Sequence, residues 1–129
     1  TNHYQGPALD EGWAAYISST FMSQTAGIDR SQLPIPDRYY ITTEGVTKSG
    51  KRRHTGVMGL FSGYPGMILE TIDENFPGVI DYMKSVADGR TTLREGLDAI
   101  RSKVPEDVHG LLLRPDYSSW LALKQKLDL

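Results

Sequence analysis

The sequence predicts a mostly helical α+β fold arranged round one central antiparallel β-hairpin. Two observations lead there. Apolar residues recur at spacings of three and four through most of the chain, the period of a helix with one buried face. One stretch breaks that rule. Arg38-Tyr39-Tyr40-Ile41-Thr42-Thr43-Glu44-Gly45-Val46 is dense in β-branched and aromatic residues, which suit a pleated strand. At 129 residues and 39% hydrophobic content, the chain has the size of one domain, 1–129, with enough apolar surface for a core.

Residues 1–8 read as a loose arm. Asp10 is placed to cap a first helix, in which Leu9, Trp13, Tyr16, Ile17, Thr20 and Phe21 share one side, and Gly27 ends it. The two prolines within 28–37 predict an extended connection. The hairpin then spans about 38–61. A loop centred on Lys48-Ser49 pairs residues whose numbers sum to 97, so Tyr39 faces Met58, Ile41 faces Gly56 and Glu44 faces Arg53.

Glycines 56, 59, 63 and 66 mark the exit, and the remaining half is helical. Ile68, Leu69 and Ile72 define one helix, and Pro77 fits the first turn of the next. Thr92-Leu93-Arg94-Glu95 is a capping-box pattern, in which hydroxyl and carboxylate each satisfy a free backbone N–H. Pro105 opens a short helix through Leu113. Asp116 or Ser118 then caps a last helix bearing Trp120, Leu123 and Leu127.

Charge is distributed unevenly. Lys48, Lys51, Arg52 and Arg53 fall within six residues, beside His54, and are 4 of the 14 Lys and Arg. The rest of the chain therefore sets 10 basic against 16 acidic side chains, for a net charge of −2. A slightly acidic protein has gathered its positive charge at one point, the tip of the expected hairpin. Lysines there offer point charges to phosphate, and arginines offer planar forks for phosphate or carboxylate. Tyr40, and Tyr39 beside it, can stack on bases if exposed. The same residues also keep turns soluble and blunt strand edges.

The expected function is a non-enzymatic binding or regulatory module that meets an anionic macromolecule, either an acidic protein surface or nucleic acid, through Tyr40, Lys48, Lys51, Arg52, Arg53 and His54. The low net charge argues against non-specific coating of nucleic acid. Two alternatives stand beside it. His54 with Glu44 and the arginines sketches a small metal-independent phosphodiester-cleaving enzyme. Leu111-Leu112-Leu113 with Trp120, Leu121 and Leu123 sketches an interaction or oligomerisation face on the C-terminal helices.

Other chemistry finds less support in the residues. The run from Gly56 to Gly66 matches neither the dinucleotide fingerprint nor the P-loop. Glu70, Asp73, Glu74 and Asp81 accompany no calcium-loop pattern, so neither metal nor cofactor is expected. With no cysteine there is no disulfide framework or thiolate nucleophile, which leans toward a cytoplasmic setting. No apolar run approaches the roughly 18 residues of a membrane span, and the first residues lack the basic and apolar regions of a signal peptide.

Overall fold

The computed structural model describes residues 5–46, 49–50, 52–58, 63–113 and 115–129, with backbone alone for 5–9, 43–46, 52–55 and 113. The first helix, α1, runs Gln5–Ala26. It begins well before Asp10, so residues 5–8 are helical and not a loose arm. Pro7 permits this, because a proline in the first turn lacks only an N–H that has no intrahelical partner there. Gly27 closes the helix at φ 69°, a left-handed conformation suited to glycine, with the Ile28 N–H donating to the Ser23 carbonyl at 2.8 Å.

The buried face of α1 is only in part the aromatic one: Trp13 and Tyr16 are partly buried against the core. Ala15, Ser19, Met22 and Ser23 are buried, whereas Ile17 and Phe21 are 47% and 65% exposed. Small residues win this face because the neighbouring helix lies too close for large ones. A Cβ on Gly12 would stand 3.0 Å from the Pro65 carbonyl oxygen.

That neighbour is α3, Tyr64–Asn75, the centre of the fold. Every residue from Pro65 to Ile72 is buried, so the helix is covered all round. Its neighbours are α1, the short helix α2 (Ile35–Arg38), α4 (Val79–Ala87) and α7 (Tyr117–Lys126). Fully burying Ile68, Leu69 or Ile72 contributes about 1.5–3 kcal/mol each before entropy is counted.

Helix α4 starts at Val79 behind Gly78, whose φ of 112° suits glycine. Its capping carboxylate comes from the previous helix: Asp73 Oδ1 accepts from the Ile80 N–H at 3.0 Å and the Gly78 N–H at 3.3 Å. Helix α5, Leu93–Lys103, carries the complete capping box between Thr92 and Glu95. After it come the single turn α6 (Glu106–His109) and a 3-10 turn, Gly110–Leu113. Asp116 caps α7, its side chain accepting from the Ser119 N–H at 3.0 Å.

The α+β expectation is corrected to a helical class. No sheet layer carries the core: among the described residues, strand is confined to β1 (Thr42–Val46) and β2 (Arg52–Gly56), five residues each. The chain is helical at 35–38, where the hairpin was expected to begin, and again at 57–58, before it was expected to end. A hairpin packed as a central element over 38–61 is therefore not found. The residues that enter the core from this region, Tyr39, Ile41 and Val57, lie at the foot of the strands and outside them.

The register differs as well. Thr42 pairs with Gly56, Glu44 with His54 and Val46 with Arg52, so partner numbers sum to 98. The connection centres on Ser49, with Gly50 in a left-handed conformation at φ 84°. That one-residue shift replaces the expected pairing of Glu44 with Arg53 by one with His54.

Candidate functional site

Three places concentrate polar chemistry. The first is a buried ion-pair network under the foot of the strands. Glu70 sits in the middle of the all-buried run of α3 and is itself only 6% exposed. A carboxylate there requires partners, and four groups converge on it. Arg38 Nη1 donates to Oε2 at 2.7 Å, and Arg30 Nη1 donates to the same oxygen at 3.2 Å. Arg30 Nη2 and the Tyr39 hydroxyl both donate to Oε1. Arg30 also donates to Ser19 Oγ and lies 5.1 Å from the Tyr16 ring centroid, while Arg38 Nε reaches the Leu33 carbonyl at 3.0 Å.

Two cations face one anion here. Their excess charge is eased by the Leu33 carbonyl and by partial exposure, 15% for Arg30 and 19% for Arg38. Burial drives the Tyr39 phenol far above its ordinary range, and the Glu70 charge adds to this, so Tyr39 stays protonated and donates. Burial alone would lower the Arg30 pKa. Its hydrogen bond to Glu70 and that charge more than reverse the effect, leaving it raised. The network joins α1, α2 and α3 and fixes the point from which β1 departs. Both Glu70 oxygens accept from these donors, which is what ties the elements together.

The second place is the basic segment. Lys48 and Lys51 lie outside the described residues. Arg52, Arg53 and His54 are in β2, described by backbone alone. Their register sets Arg52 across from Val46 at the last pair before the connection, Arg53 across from Gly45 and His54 across from Glu44. Tyr40 is 57% exposed, whereas Tyr39 is buried with its hydroxyl on Glu70, so only Tyr40 of the two has a free ring.

The third place carries no sequence motif. A cleft of about 440 Å³ opens between α2, the C-terminal half of α3 and α7. Ile35, Pro36 and Trp120 form apolar walls, Thr71 lies among them, and Glu74 and Lys124 supply charge. Lys124 Nζ stands 5.8 Å from the Trp120 ring centroid, a cation–π contact. The one cue available in the sequence was a threonine beside Glu70 in an otherwise apolar run.

Acidic residues of α3 are engaged separately. Glu70 is engaged by two arginines and Asp73 by backbone N–H groups of the next helix. Among the described residues no three His, Asp or Glu side chains are grouped to hold a metal ion. His109 is buried, and that burial, with Arg101 nearby, holds its pKa below the usual histidine range. Of the C-terminal apolar residues, Leu112, Trp120 and Leu123 are buried in the core, while Leu121 is 40% exposed. No described helix is long and apolar enough to cross a membrane.

Comparison with known proteins adds no relative: no family model, curated protein or solved structure matches the chain.

Proposed function

We propose that the chain is a non-enzymatic binding module that meets an anionic macromolecule through its basic segment, Lys48 to His54, with the exposed Tyr40 at the foot of the strands and Arg52 at their last pair. The observation that carries this reading is the strand register. It brings Arg52 to the pair that closes on the connection, in a chain whose other residues are net acidic. An acidic protein surface is favoured over unselective nucleic-acid coating, because a net charge of −2 opposes the latter. A cytoplasmic setting belongs to the same reading.

The test is capture from lysate with and without nuclease, using wild type and the Lys51→Glu/Arg52→Glu/Arg53→Glu variant. A discrete nuclease-resistant protein that is lost on charge reversal supports the proposal. Recovery of nucleic acid, with binding that weakens steeply in salt, moves the partner to a phosphate backbone. A partner retained by the reversed variant removes the basic segment from the account.

One observation favours a second reading. The register pairs Glu44 with His54, which suits a histidine base oriented by a carboxylate, as metal-independent phosphodiester cleavage needs. On that reading His54→Ala should abolish cleavage of an RNA homopolymer while RNA binding persists. An oligomerisation role for the C-terminal helices has less to stand on, since Leu112, Trp120 and Leu123 are in the core.

A further inference from the structure

We propose that the cleft between α2, α3 and α7 binds a free aromatic amino acid whose ring carries a hydrogen-bonding group, of the tyrosine or tryptophan kind. Its volume of about 440 Å³ falls in the usual range for small-molecule sites, roughly 300–1,000 Å³. The walls suit a flat ring: Ile35 and Pro36 on one helix, and the indole of Trp120 on another.

Thr71 supplies the specific contact. It is 2% exposed, lines the cleft, and its Oγ1 has no hydrogen-bond partner among the described residues. This is unusual within the same molecule. Thr20 and Thr25, also helical, satisfy their hydroxyls by donating back to the Tyr16 and Phe21 carbonyls at 2.9 and 3.0 Å. A buried hydroxyl without a partner is costly, and a ring O–H or N–H in the cleft would relieve that cost.

The charges complete the match. Lys124 and Glu74 line the same cleft with opposite signs, and neither has an ion-pair partner among the described residues. A zwitterion offers each of them its complement, the carboxylate to Lys124 and the ammonium to Glu74. A simple aromatic acid would leave Glu74 opposed, and a simple amine would leave Lys124 unanswered.

The proposal is independent of the basic segment. It is tested by titrating the full chain with L-tyrosine, L-tryptophan, L-phenylalanine and tyramine, reading the Trp120 indole N–H by NMR. Saturable shifts are expected with tyrosine or tryptophan. Phenylalanine, which leaves Thr71 unpaired, should bind about tenfold more weakly than tyrosine. Thr71→Val should erase the preference for tyrosine over phenylalanine, and Lys124→Ala should reduce the preference for tyrosine over tyramine. No saturable shift at millimolar tyrosine and tryptophan overturns the proposal. So does binding that ignores the ring hydroxyl in the wild type, a comparison that holds even if Thr71→Val fails to fold.

Discussion

Arg30 and Arg38 belong to a part of the molecule where each cation meets an answering group, whereas Lys48, Lys51, Arg52 and Arg53 crowd together with few acids near them in sequence. The first pair is separated by eight positions and reunited on Glu70, 40 and 32 residues downstream. The second set is gathered by sequence alone. Charge assembled across the fold holds helices together, since a buried carboxylate is tolerable only in company. Charge assembled along the chain needs no such company, and under the proposed reading it meets an outside anion. Neighbouring tyrosines differ in the same way: the Tyr39 ring is buried with its hydroxyl on Glu70, and Tyr40, the next residue, is exposed at the foot of the strands.

The contrast is broken most directly at Glu70. In Glu70→Ala, two largely buried guanidinium groups and a buried phenol lose their acceptor together. A loss of about 3–5 kcal/mol is expected, the usual cost of removing one partner from a buried ion pair. Chemical denaturation should show a markedly lower midpoint. A variant within about 1 kcal/mol of wild type would mean that the network is not what joins α1, α2 and α3.

Gly66→Ala tests the same region by sterics. A Cβ on Gly66 would run into the Tyr39 ring, which is fully buried and tethered by its hydroxyl to Glu70. The ring has little room to yield, so alanine's better helix propensity should be outweighed by about 1–3 kcal/mol of overpacking. The measurement is again a denaturation midpoint, with Gly110→Ala as a control because a Cβ there meets nothing within 4 Å.

What the sequence made legible follows the same division between local and assembled. The Thr92–Glu95 capping box was readable, and the last cap was narrowed to Asp116 or Ser118, because each closes within three residues. The stop at Gly27 was readable for the same reason. The strand register was not, because turn centre and pairing differ by one residue and both registers bring plausible residues together. Nor was the buried side of α1. Helical spacing marks Trp13, Tyr16, Ile17 and Phe21 as a stripe, of which Trp13 and Tyr16 pack against the core, but close approach to α3 centres the buried side on Gly12, Ala15 and Ser19. The Glu70 network could be suspected from one carboxylate inside Met67-Ile68-Leu69-Glu70-Thr71-Ile72, while its partners could not be named. The cleft beside Thr71 needed three helices in place before it existed at all.

A smaller effect separates the hydrogen bond from the charge. Tyr39→Phe removes one donor from Glu70 and should cost about 1 kcal/mol near neutral pH. Its pH dependence carries more information. The Tyr39 pKa is raised in the folded chain from an ordinary value of 10.0, chiefly by burial and then by Glu70. Stability from the neutral phenol is therefore complete below pH 10 and declines as pH rises above it, where the unfolded chain releases the proton and the folded one retains it. The gap in stability between wild type and Tyr39→Phe should shrink as pH rises above that value. A constant gap would show that the phenol acts through packing alone.

The smallest expected effect sharpens the comparison from the other side. Lys51→Glu/Arg52→Glu/Arg53→Glu reverses three charges, yet stability should move by no more than about 0.5 kcal/mol, the range expected where no buried partner depends on the charges. Because Glu44 pairs in register with His54 and not with Arg53, the Arg53→Glu change does not set two carboxylates directly opposite each other. Equal denaturation midpoints, joined to loss of the anionic partner, would separate the binding role from folding. A drop comparable to that of Glu70→Ala would instead place these arginines in a second internal network and remove the distinction between the two regions.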